Sequence, residues 1–503
     1  MGALRHRAVA GTLLICAAAS VSAETAITIY SKASPGAVDP RLYRPGVGGS
    51  GYLGASLPGY AIVRDDRSMT LQAGRGQYAR DDVAALIDPT TVRFESLTDP
   101  DGTRVLEQDF RFDLVDRDKL LERYLDREVI VTQRQGDDVR ERRGTLLSTR
   151  GGIVLRDGDG SVDVLSDWNH VGLGELPGGL MTRPTLVWEV AAERGGAHDT
   201  RVSYETAGIT WWADYNLVWT PKGNGDAGTL GVGAWVSIVN QSGASFEDAK
   251  LKLVAGDVQR VTAQQSYQGR RERLTASFAD ANGFEEKAFF EFHLYTLGRE
   301  TTLPNNATKQ IELFPQATAV PAQKQLVYYG FPDGRFAGQG IVDRGFGMQS
   351  NPKVDVYLEF ENRKRDGLGI PLPAGRLRVS QLDDADGTLE FIGEDVIDHT
   401  ARNEPVRVRL GSAFDVTGER KQVDYAIDTR ARWIEETIEI TLTNRKDVAQ
   451  QVTVAESLYR YANWAISGES DNYEKIDSRT VHFDVRVPAD GSKTVRYQVR
   501  YTW

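Results

Sequence analysis

The sequence contains a single cysteine in 503 residues, Cys16, which lies in an apolar run near the N-terminus. The rest of the chain therefore has no disulfide, no thiol nucleophile and no thiolate metal site, so its domains must be stable through their own cores. Ile15 precedes this cysteine, whereas a lipoprotein attachment site normally has a small residue at that position. We therefore expect no lipid anchor at Cys16.

Histidine is also scarce, and the reactive motifs of common enzyme classes are missing. No two of the six histidines stand at a metal-ligand spacing, and no His-Glu-x-x-His segment is present. The chain has no Gly-x-Ser-x-Gly turn and no phosphate loop that ends in Gly-Lys-Ser or Gly-Lys-Thr. We predict a protein that is not an enzyme, with no catalytic residues, no cofactor and no metal site.

Positive charge is in deficit, with 60 lysine and arginine residues against 71 acidic residues and a formal net charge of −11. A chain with this balance repels the phosphate backbone of nucleic acids, because like charges oppose the approach of the two molecules. We expect no nucleic-acid partner.

Long apolar runs are missing except for Ala8–Ala19, which is shorter than the ~20 residues that a membrane-spanning helix needs. Arg5 and Arg7 precede this run, and Val21 and Ala23 are the small residues of a cleavage site. The pattern predicts a signal peptide over the first 23 residues, cleaved after Ala23. The mature chain would then be periplasmic, envelope-associated or secreted, with no transmembrane segment after cleavage.

Alternation of apolar and polar residues is what the sequence has in abundance. The run 209–219 shows it best, since its odd positions are apolar and its even positions are mostly polar. The apolar set is Ile209, Trp211, Ala213, Tyr215, Leu217 and Trp219. Side chains of a β-strand point alternately to two faces, so this run predicts a strand that packs one face on a core.

We predict an all-β fold, a chain of β-sandwich-like modules with a small SH3-like or Sm-like barrel in the N-terminal half. The predicted segments are an N-terminal β domain over 24–117 with a Gly-rich insert, the small barrel with a leading helix over 118–175, a β-sandwich module over 185–300 that carries the Trp-x-Ala-x-Tyr strand, and a C-terminal β-sandwich module over 322–503. One helix is predicted, Arg117–Asp126, with Asp116 or Asp118 as its N-cap.

Three predicted strands end in asparagine, at Asn240, Asn362 and Asn444. Asparagine tolerates left-handed backbone geometry and bonds to its own turn, so these residues predict corners between strands and not a site.

The run Thr206–Tyr215, together with Val236–Asn240 and Leu251–Gly256, resembles the bacterial domain of unknown function 4139 family, which includes mucoidy-inhibitor-like proteins. The pattern Trp211-x-Ala213-x-Tyr215 carries the resemblance. It implies an exported, β-rich protein, and it provides no catalytic residues to transfer. The chain lacks the long coiled-coil segment of some relatives, which argues against a coiled-coil partner.

Trp212, Asp214 and Asn216 lie on the polar side of the predicted strand, and we take them as a candidate binding surface. An exposed tryptophan can stack on a sugar or anchor a protein partner, but another part of the chain can also cover it. The leading hypothesis is an exported, non-catalytic scaffold of the cell envelope, or a secreted one, for an envelope protein or glycan. The alternative is an envelope glycan hydrolase with paired carboxylates, which the sequence alone cannot select from 71 acids.

Two acidic loops resemble calcium loops, because they place oxygen ligands two residues apart. One contains Asp157, Asp159 and Asp163, and the other contains Asp384 and Asp386. Neither has the glutamate that completes a helical calcium loop, so we expect both to be hairpin turns, with calcium binding as the alternative.

Overall fold

The structure is a computed structural model that describes residues 24–31, 38, 57–113, 115–135, 138–175, 181–223, 226–256, 284–289, 292–330, 340–346, 350–383 and 385–503. The predicted signal peptide with Cys16 lies outside these residues, and so does the Gly-rich run of the N-terminal insert, Pro45–Gly51.

Strands make up most of the described chain, which confirms the all-β prediction. In chain order the strands are β1 (Glu24–Ser31), β2 (Gly59–Leu71), β3 (Gly74–Arg80), β4 (Ile87–Ser96), β5 (Thr103–Arg111), β6 (Glu128–Gln135), β7 (Asp138–Ser148), β8 (Ile153–Arg156), β9 (Val162–Leu165), β10 (His170–Gly172), β11 (Thr185–Ala192), β12 (Gly196–Thr206), β13 (Ile209–Lys222), β14 (Ala227–Asn240), β15 (Phe246–Ala255), β16 (Phe284–Phe289), β17 (Phe292–Leu297), β18 (Thr301–Leu303), β19 (Ala307–Tyr328), β20 (Lys353–Glu361), β21 (Gly375–Leu382), β22 (Leu389–Ile397), β23 (Pro405–Asp428), β24 (Trp433–Asn444), β25 (Gln450–Ser457), β26 (Asn463–Ser467), β27 (Glu474–Lys475), β28 (Thr480–Val487) and β29 (Gly491–Thr502).

The helical content is small. The α-helix α1 (Arg117–Arg123) has Asp116 as its N-cap, whose side chain accepts a hydrogen bond from the backbone N–H of Lys119. The prediction of a capped helix is confirmed, but the helix ends at Arg123 and not at Asp126. A 3₁₀ turn, Lys364–Asp366, also occurs. Within the described ranges no helix has the length and apolar content to cross a membrane.

The first large sheet has the order β16-β17-β15-β1-β2-β12-β4, with β18 paired to β15, and a three-stranded sheet β3-β11-β5 accompanies it. Its strands come from both the 24–117 and the 185–300 segments, because β1 pairs in parallel with β15. The parallel pairing places Ile27 opposite Leu251 and Ile29 opposite Leu253, all of them buried. A contact between residues so far apart in sequence ties the N-terminal strand to the middle of the chain.

The largest sheet has the order β22-β21-β13-β14-β19-β20-β23-β24-β29-β26, with β25 and β28 attached through β19 and β27 attached to β28. The 22-residue β19 and the 24-residue β23 extend through both halves of this sheet. The half of this sheet that contains β22, β21, β13 and β14 packs on the first sheet around one hydrophobic core. The half that contains β24 and β29 packs on β25 and β28 around a second core. Two sandwich-like cores therefore share continuous strands.

Strand β13 shows the alternation that its sequence predicts. Trp211, Tyr215 and Trp219 are buried on one face. The Trp211 Nε1 donates a hydrogen bond to the Ile29 carbonyl at 3.2 Å, and the Trp211 ring meets Tyr295 edge-on with 6.3 Å between ring centroids. Since Ile29 and Tyr295 belong to the first sheet, these contacts join the two layers of the sandwich.

The five strands that follow α1 form a separate antiparallel sheet with the order β10-β6-β7-β8-β9. They pack on α1 through a small core that includes Leu121, Tyr124, Val131 and Leu155. The predicted strands are present, but the predicted small barrel is not closed, because β9 and β10 lie at opposite edges and do not pair. These two strands have only four and three residues, which leaves little backbone for the closing ladder.

The three strand-ending asparagines are buried, and their side chains bond to the backbone of the corners that follow them. The Asn362 Nδ2 donates hydrogen bonds to the Ile370 and Ala401 carbonyls at 2.7 and 3.0 Å, and its Oδ1 accepts one from the Gly369 backbone N–H. Asn240 and Asn444 make the same kind of paired contacts to nearby carbonyls. Each amide satisfies backbone groups that the turn would otherwise leave without partners.

Asp66 on β2 provides a test of stability against pH. Arg201 Nε and Nη2 donate to the two Asp66 carboxylate oxygens at 2.8 and 2.7 Å. The hydrogen bond from Arg201 lowers the pKa of Asp66, although burial acts in the opposite direction. This carboxylate therefore stabilises the fold above the unfolded pKa of about 3.9, and the stabilisation is lost as the pH falls through the lower folded pKa.

We expect Asp66→Asn to reduce the loss of melting temperature between about pH 5 and pH 3, because the variant has no proton to take up at this site. Thermal unfolding followed by circular dichroism measures the effect. Asp81→Asn is the matched control, since Asp81 is exposed. If the melting temperature of Asp66→Asn fell with pH as steeply as that of the unaltered chain, the stabilising role of the Asp66 carboxylate would be contradicted.

Candidate functional site

The three residues of the predicted binding surface differ in their exposure to solvent. Trp212 is half-buried and packs against Val38, Leu57 and Val239, so another part of the chain covers much of its ring. Its Nε1 donates to the Asp214 carboxylate at 2.7 Å.

The other two predicted residues differ from Trp212 and from each other. Asp214 is buried and accepts a second hydrogen bond at 2.7 Å, from the Ser237 hydroxyl. Asn216 is exposed. Of the predicted set, only Asn216 offers its side chain freely to solvent, and the binding role of the set stays a prediction.

A different tryptophan, Trp235 on β14, is exposed on the same face of the sheet. Its exposed fraction is 39%, and it lies directly opposite Asp214 in the β13–β14 ladder. Asn216 is opposite Gly233 in that ladder, diagonal to Trp235, where the separation of such neighbours is about 7–8 Å. We call this surface the Trp235 face, and it comprises Asp214, Asn216, Gly231, Gly233, Trp235, Gln316 and Arg378.

Two glycines make the Trp235 face flat. A Cβ atom on Gly233 would meet nothing closer than 3.9 Å, and one on Gly231 would meet nothing closer than the Gln316 side chain at 3.5 Å. Packing therefore does not demand glycine at either position. Glycine inside a strand often marks a place where another molecule approaches the backbone closely, and β14 shifts register against β19 along this stretch, as strands do near sites.

Polar groups border the exposed indole. Arg378 on β21 lies with its Nη1 at 3.5 Å from Asp214 Oδ1, which holds the guanidinium over the sheet. Asn216 and Gln316 are exposed, and each has both a donor and an acceptor in its amide. The face thus combines one apolar ring with several hydrogen-bonding groups on rigid strands.

The alternation of residues around Trp235 predicts that its side chain is exposed. Ala234, Val236 and Ile238 are apolar and buried, so the residue between the first two must point to the opposite face. The same alternation predicts an exposed Trp212, but a segment that is remote in sequence covers much of its ring, and no local pattern reveals that contact.

A cleft of about 520 Å³ opens beside β19. Strand β14 pairs with β19 up to Gln323, and β25 pairs with the same side of β19 from Leu326 onwards. The two neighbours run in opposite directions, since β14 is antiparallel and β25 parallel to β19, and the cleft opens in the gap between them.

Three carboxylates line this cleft, and each is held by a donor. Asp226 pairs with the Lys324 ammonium at 2.9 Å. Glu359 accepts from the Gln325 amide at 3.2 Å, and Asp484 accepts from the Thr453 hydroxyl at 2.6 Å. The acids are fixed in place by neighbouring side chains and do not form a pair that bonds directly to each other.

Two ion pairs lie deep in the second core and out of reach of solvent. Arg420 Nε donates to both oxygens of Glu456 at 3.1 and 3.0 Å, and the Tyr497 hydroxyl donates to the same carboxylate. Arg460 pairs with Glu436 at 2.8 Å. All four charged side chains are at most 3% exposed, so they hold the core together and cannot meet a substrate without its opening.

Ser96 and His198 form a serine–histidine contact that the sequence does not suggest. The Ser96 hydroxyl lies 2.9 Å from His198 Nδ1, and His198 Nε2 lies 3.1 Å from the Arg194 carbonyl. Both side chains are buried, and neither lines the cleft beside β19. The pair serves the turn between β4 and β5, where the Asp99 backbone N–H donates to the Ser96 hydroxyl.

The acidic loops form hairpin turns in the described residues. The Asp159 carboxylate accepts from the Ser161 hydroxyl and backbone N–H, and Asp163 forms an ion pair with Arg142. In the second loop Asp386 accepts from Thr388, whereas Asp384 lies outside the described residues. Within the described ranges no group of three or more metal-binding side chains could hold an ion.

No protein-family model, curated protein or solved structure matches this chain.

Proposed function

We propose that the chain is a non-catalytic scaffold of the cell envelope, or a secreted one, that binds a glycan on the Trp235 face. The single observation that carries this proposal is the exposure of Trp235 on a flat, glycine-lined sheet surface bordered by Asn216, Gln316 and Arg378. A sugar ring has an apolar C–H side and a polar rim, which match an indole and its surrounding amides and guanidinium.

Rigid strands suit this kind of binding. Trp235 and Asn216 project from paired strands, so they lose little conformational freedom when a ligand binds. Arg378 is held by Asp214, which in turn accepts hydrogen bonds from Trp212 and Ser237. The predicted residue Asp214 thus supports the surface from below and does not need to contact the ligand.

Export and family membership belong to the same proposal. The signal pattern that ends at Ala23 supports export to the envelope or beyond it. The resemblance to the domain of unknown function 4139 family draws on Trp211, Ala213 and Tyr215, which together form the buried face of β13. A structural role for these residues fits a family pattern that carries no catalytic residues.

We expect Trp235→Ala to weaken glycan binding by about tenfold or more, because truncating an aromatic anchor at the centre of a contact costs upwards of ~1–2 kcal/mol. The probe is an array of bacterial polysaccharides, followed by calorimetric titration of a polysaccharide that the unaltered chain retains. Phe414→Ala is the matched control, since Phe414 is an exposed aromatic residue on β23. Absence of binding to every polysaccharide, or equal losses in both variants, would contradict the proposal.

A hydrolase remains the alternative because Asp226, Glu359 and Asp484 line one cleft. Glycosidases use two carboxylates on either side of the bond that they cleave, so this cleft is the place where such an activity would lie. Glu359→Gln and Asp484→Asn remove these acids one at a time and leave the Trp235 face unaltered.

A further inference from the structure

The surface that carries the Trp235 face continues across the sheet to the edge strand β22. In the ladder of β13 with β21, Val218 lies opposite Ser380, and in the ladder of β21 with β22, Ser380 lies opposite Phe391. Residues that lie opposite each other on neighbouring strands point to the same side of a sheet. Val218 is on the same side as Asn216, two residues before it, so Phe391 shares a surface with Trp235.

Phe391 gives this surface a second exposed aromatic ring. Its exposed fraction is 61%, and Leu389 on the same strand is 55% exposed. Leu382 lies opposite Leu389 in the β21–β22 hairpin and is 47% exposed. We call these three residues, Phe391, Leu389 and Leu382, the Phe391 end of the surface. Grouped apolar exposure of this kind marks an interaction site.

A diagonal row of polar side chains connects the two rings. Asn216 on β13 is diagonal to Trp235, and Arg378 on β21 lies opposite Asn216. Ser380, two residues after Arg378, lies opposite Phe391. The two rings are three strands apart and four residues apart along the strands, which amounts to roughly 20 Å for the usual strand spacing and rise per residue.

The charges along this diagonal offset one another. Arg378 lies with its Nη1 at 3.5 Å from the Asp214 carboxylate and its Nε at 3.7 Å from the Glu394 carboxylate. Two further charges on the same surface also have opposite signs, Arg376 on β21 and Glu312 on β19. An acidic chain would meet the carboxylates together with the guanidinium groups, so no net positive field attracts it. The balance favours an uncharged ligand.

Hydroxyl groups suit the polar part of the diagonal. The Asn216 amide has both a donor and acceptors, the Glu394 carboxylate accepts hydrogen bonds, and the Arg378 guanidinium donates them. Gly231 and Gly233 keep the neighbouring part of the surface flat. A single sugar ring is far smaller than the separation of the two aromatic rings, whereas a chain of sugars can lie across both.

We propose that the ligand of the Trp235 face is the interior of an extended, uncharged polysaccharide, which crosses β14, β13, β21 and β22 and covers Trp235 and Phe391 together. This inference rests on the glycan binding proposed above and specifies its substrate. Once one ring is covered, the second contact forms within the same complex at a high effective concentration. It therefore raises the affinity only of chains that are long enough to reach both rings.

A length series of glycan fragments tests the inference. An uncharged polysaccharide that the full chain retains is partly hydrolysed, and the fragments are separated by size and titrated by calorimetry. We expect the dissociation constant to fall about tenfold or more once the fragments exceed the span of roughly 20 Å. Phe391→Ala should abolish this gain and leave the affinity of the shortest fragments unchanged, whereas Trp235→Ala should weaken the binding of fragments of every length.

Phe414→Ala is the matched control, because Phe414 is an exposed aromatic residue on β23, outside the four strands of the diagonal. An unchanged melting temperature verifies that each variant is folded. Equal affinity for short and long fragments, or a gain with length that persists in Phe391→Ala, would overturn the inference and leave glycan binding by the Trp235 face intact. If the chain retains no polysaccharide, the proposed function fails and the inference fails with it.

Three other outcomes would assign the Phe391 end to a different occupant and also overturn the inference. The first is retention of acidic polysaccharides alone. The second is a dimer in light scattering that Phe391→Ala abolishes, since a second copy of the chain would then cover this surface. The third is retention on phosphatidylcholine vesicles that Phe391→Ala abolishes, which would indicate a lipid surface.

Discussion

Replacing Arg460 with alanine is expected to lower the free energy of unfolding by about 3–5 kcal/mol, the range for breaking one side of a buried ion pair. Arg460 is fully buried and pairs with Glu436 at 2.8 Å. Its guanidinium also donates to the Ile341 and Asp343 carbonyls at 3.0 and 2.7 Å. Removal of the side chain leaves the buried Glu436 carboxylate without its ion pair and takes a donor from the two carbonyls.

Burial alone would lower the pKa of Arg460, but the hydrogen bond and the charge of Glu436 raise it above its ordinary value. The guanidinium therefore stays charged, and the stability that it provides does not depend on pH in the ordinary range. Denaturant unfolding followed by fluorescence measures the loss. Lys421→Ala is the control, because Lys421 forms an exposed pair with Glu419 at 2.9 Å, and such pairs contribute about 0–1 kcal/mol.

A combined replacement separates the pair from the cavity that alanine leaves. We expect Arg460→Met with Glu436→Leu to recover much of the lost stability, because apolar residues of similar volume remove the unpaired charge and fill the space. A small loss in Arg460→Ala, close to that of the exposed control, would contradict a role for this pair in holding the 340–346 segment against the second core.

Truncation of Trp211 to alanine is expected to cost about 3–5 kcal/mol, the range for removing a buried aromatic side chain from a core. The ring joins the two layers of the first sandwich through the Ile29 carbonyl and the Tyr295 ring. Trp235→Ala should cost within about 0.5 kcal/mol, as surface substitutions usually do. The two tryptophans lie on neighbouring strands and on opposite faces, so the pair of variants isolates the effect of burial.

Thermal and denaturant unfolding of both variants give the comparison directly. Similar losses of stability in Trp211→Ala and Trp235→Ala would contradict the assignment of Trp211 to the buried face and Trp235 to the exposed face. If Trp235→Ala keeps its stability, a loss of glycan binding in this variant comes from the altered surface and not from unfolding.

Local alternation was enough to predict many strands and which face of them is buried. Trp211, Tyr215 and Trp219 are on the core side as expected, because strand side chains alternate strictly. The partners of each strand could not be predicted in this way. The parallel ladders of β1 with β15 and of β13 with β21 join segments that are remote in sequence, and no local pattern encodes such a choice.

The sequence pattern named two residues of the proposed Trp235 face and missed its exposed indole. Asn216 is exposed and Asp214 lies beneath the same face, but the exposed indole is Trp235 and the ring of Trp212 is covered by Val38 and Leu57. The buried ion pairs could not be predicted from sequence, because Arg420 and Arg460 look like ordinary surface residues until the segments that carry them are placed in the second core. The cover over Trp212 and the burial of these arginines both depend on packing between segments that are remote in sequence.

One assay tests non-catalytic glycan binding most directly. A polysaccharide retained by the chain is incubated with it, and bound glycan and newly formed reducing ends are measured in the same sample. We predict binding that is lost in Trp235→Ala and kept in Glu359→Gln and Asp484→Asn, with no new reducing ends. Reducing ends that accumulate with the unaltered chain and disappear in either carboxylate variant would contradict it and establish a hydrolase.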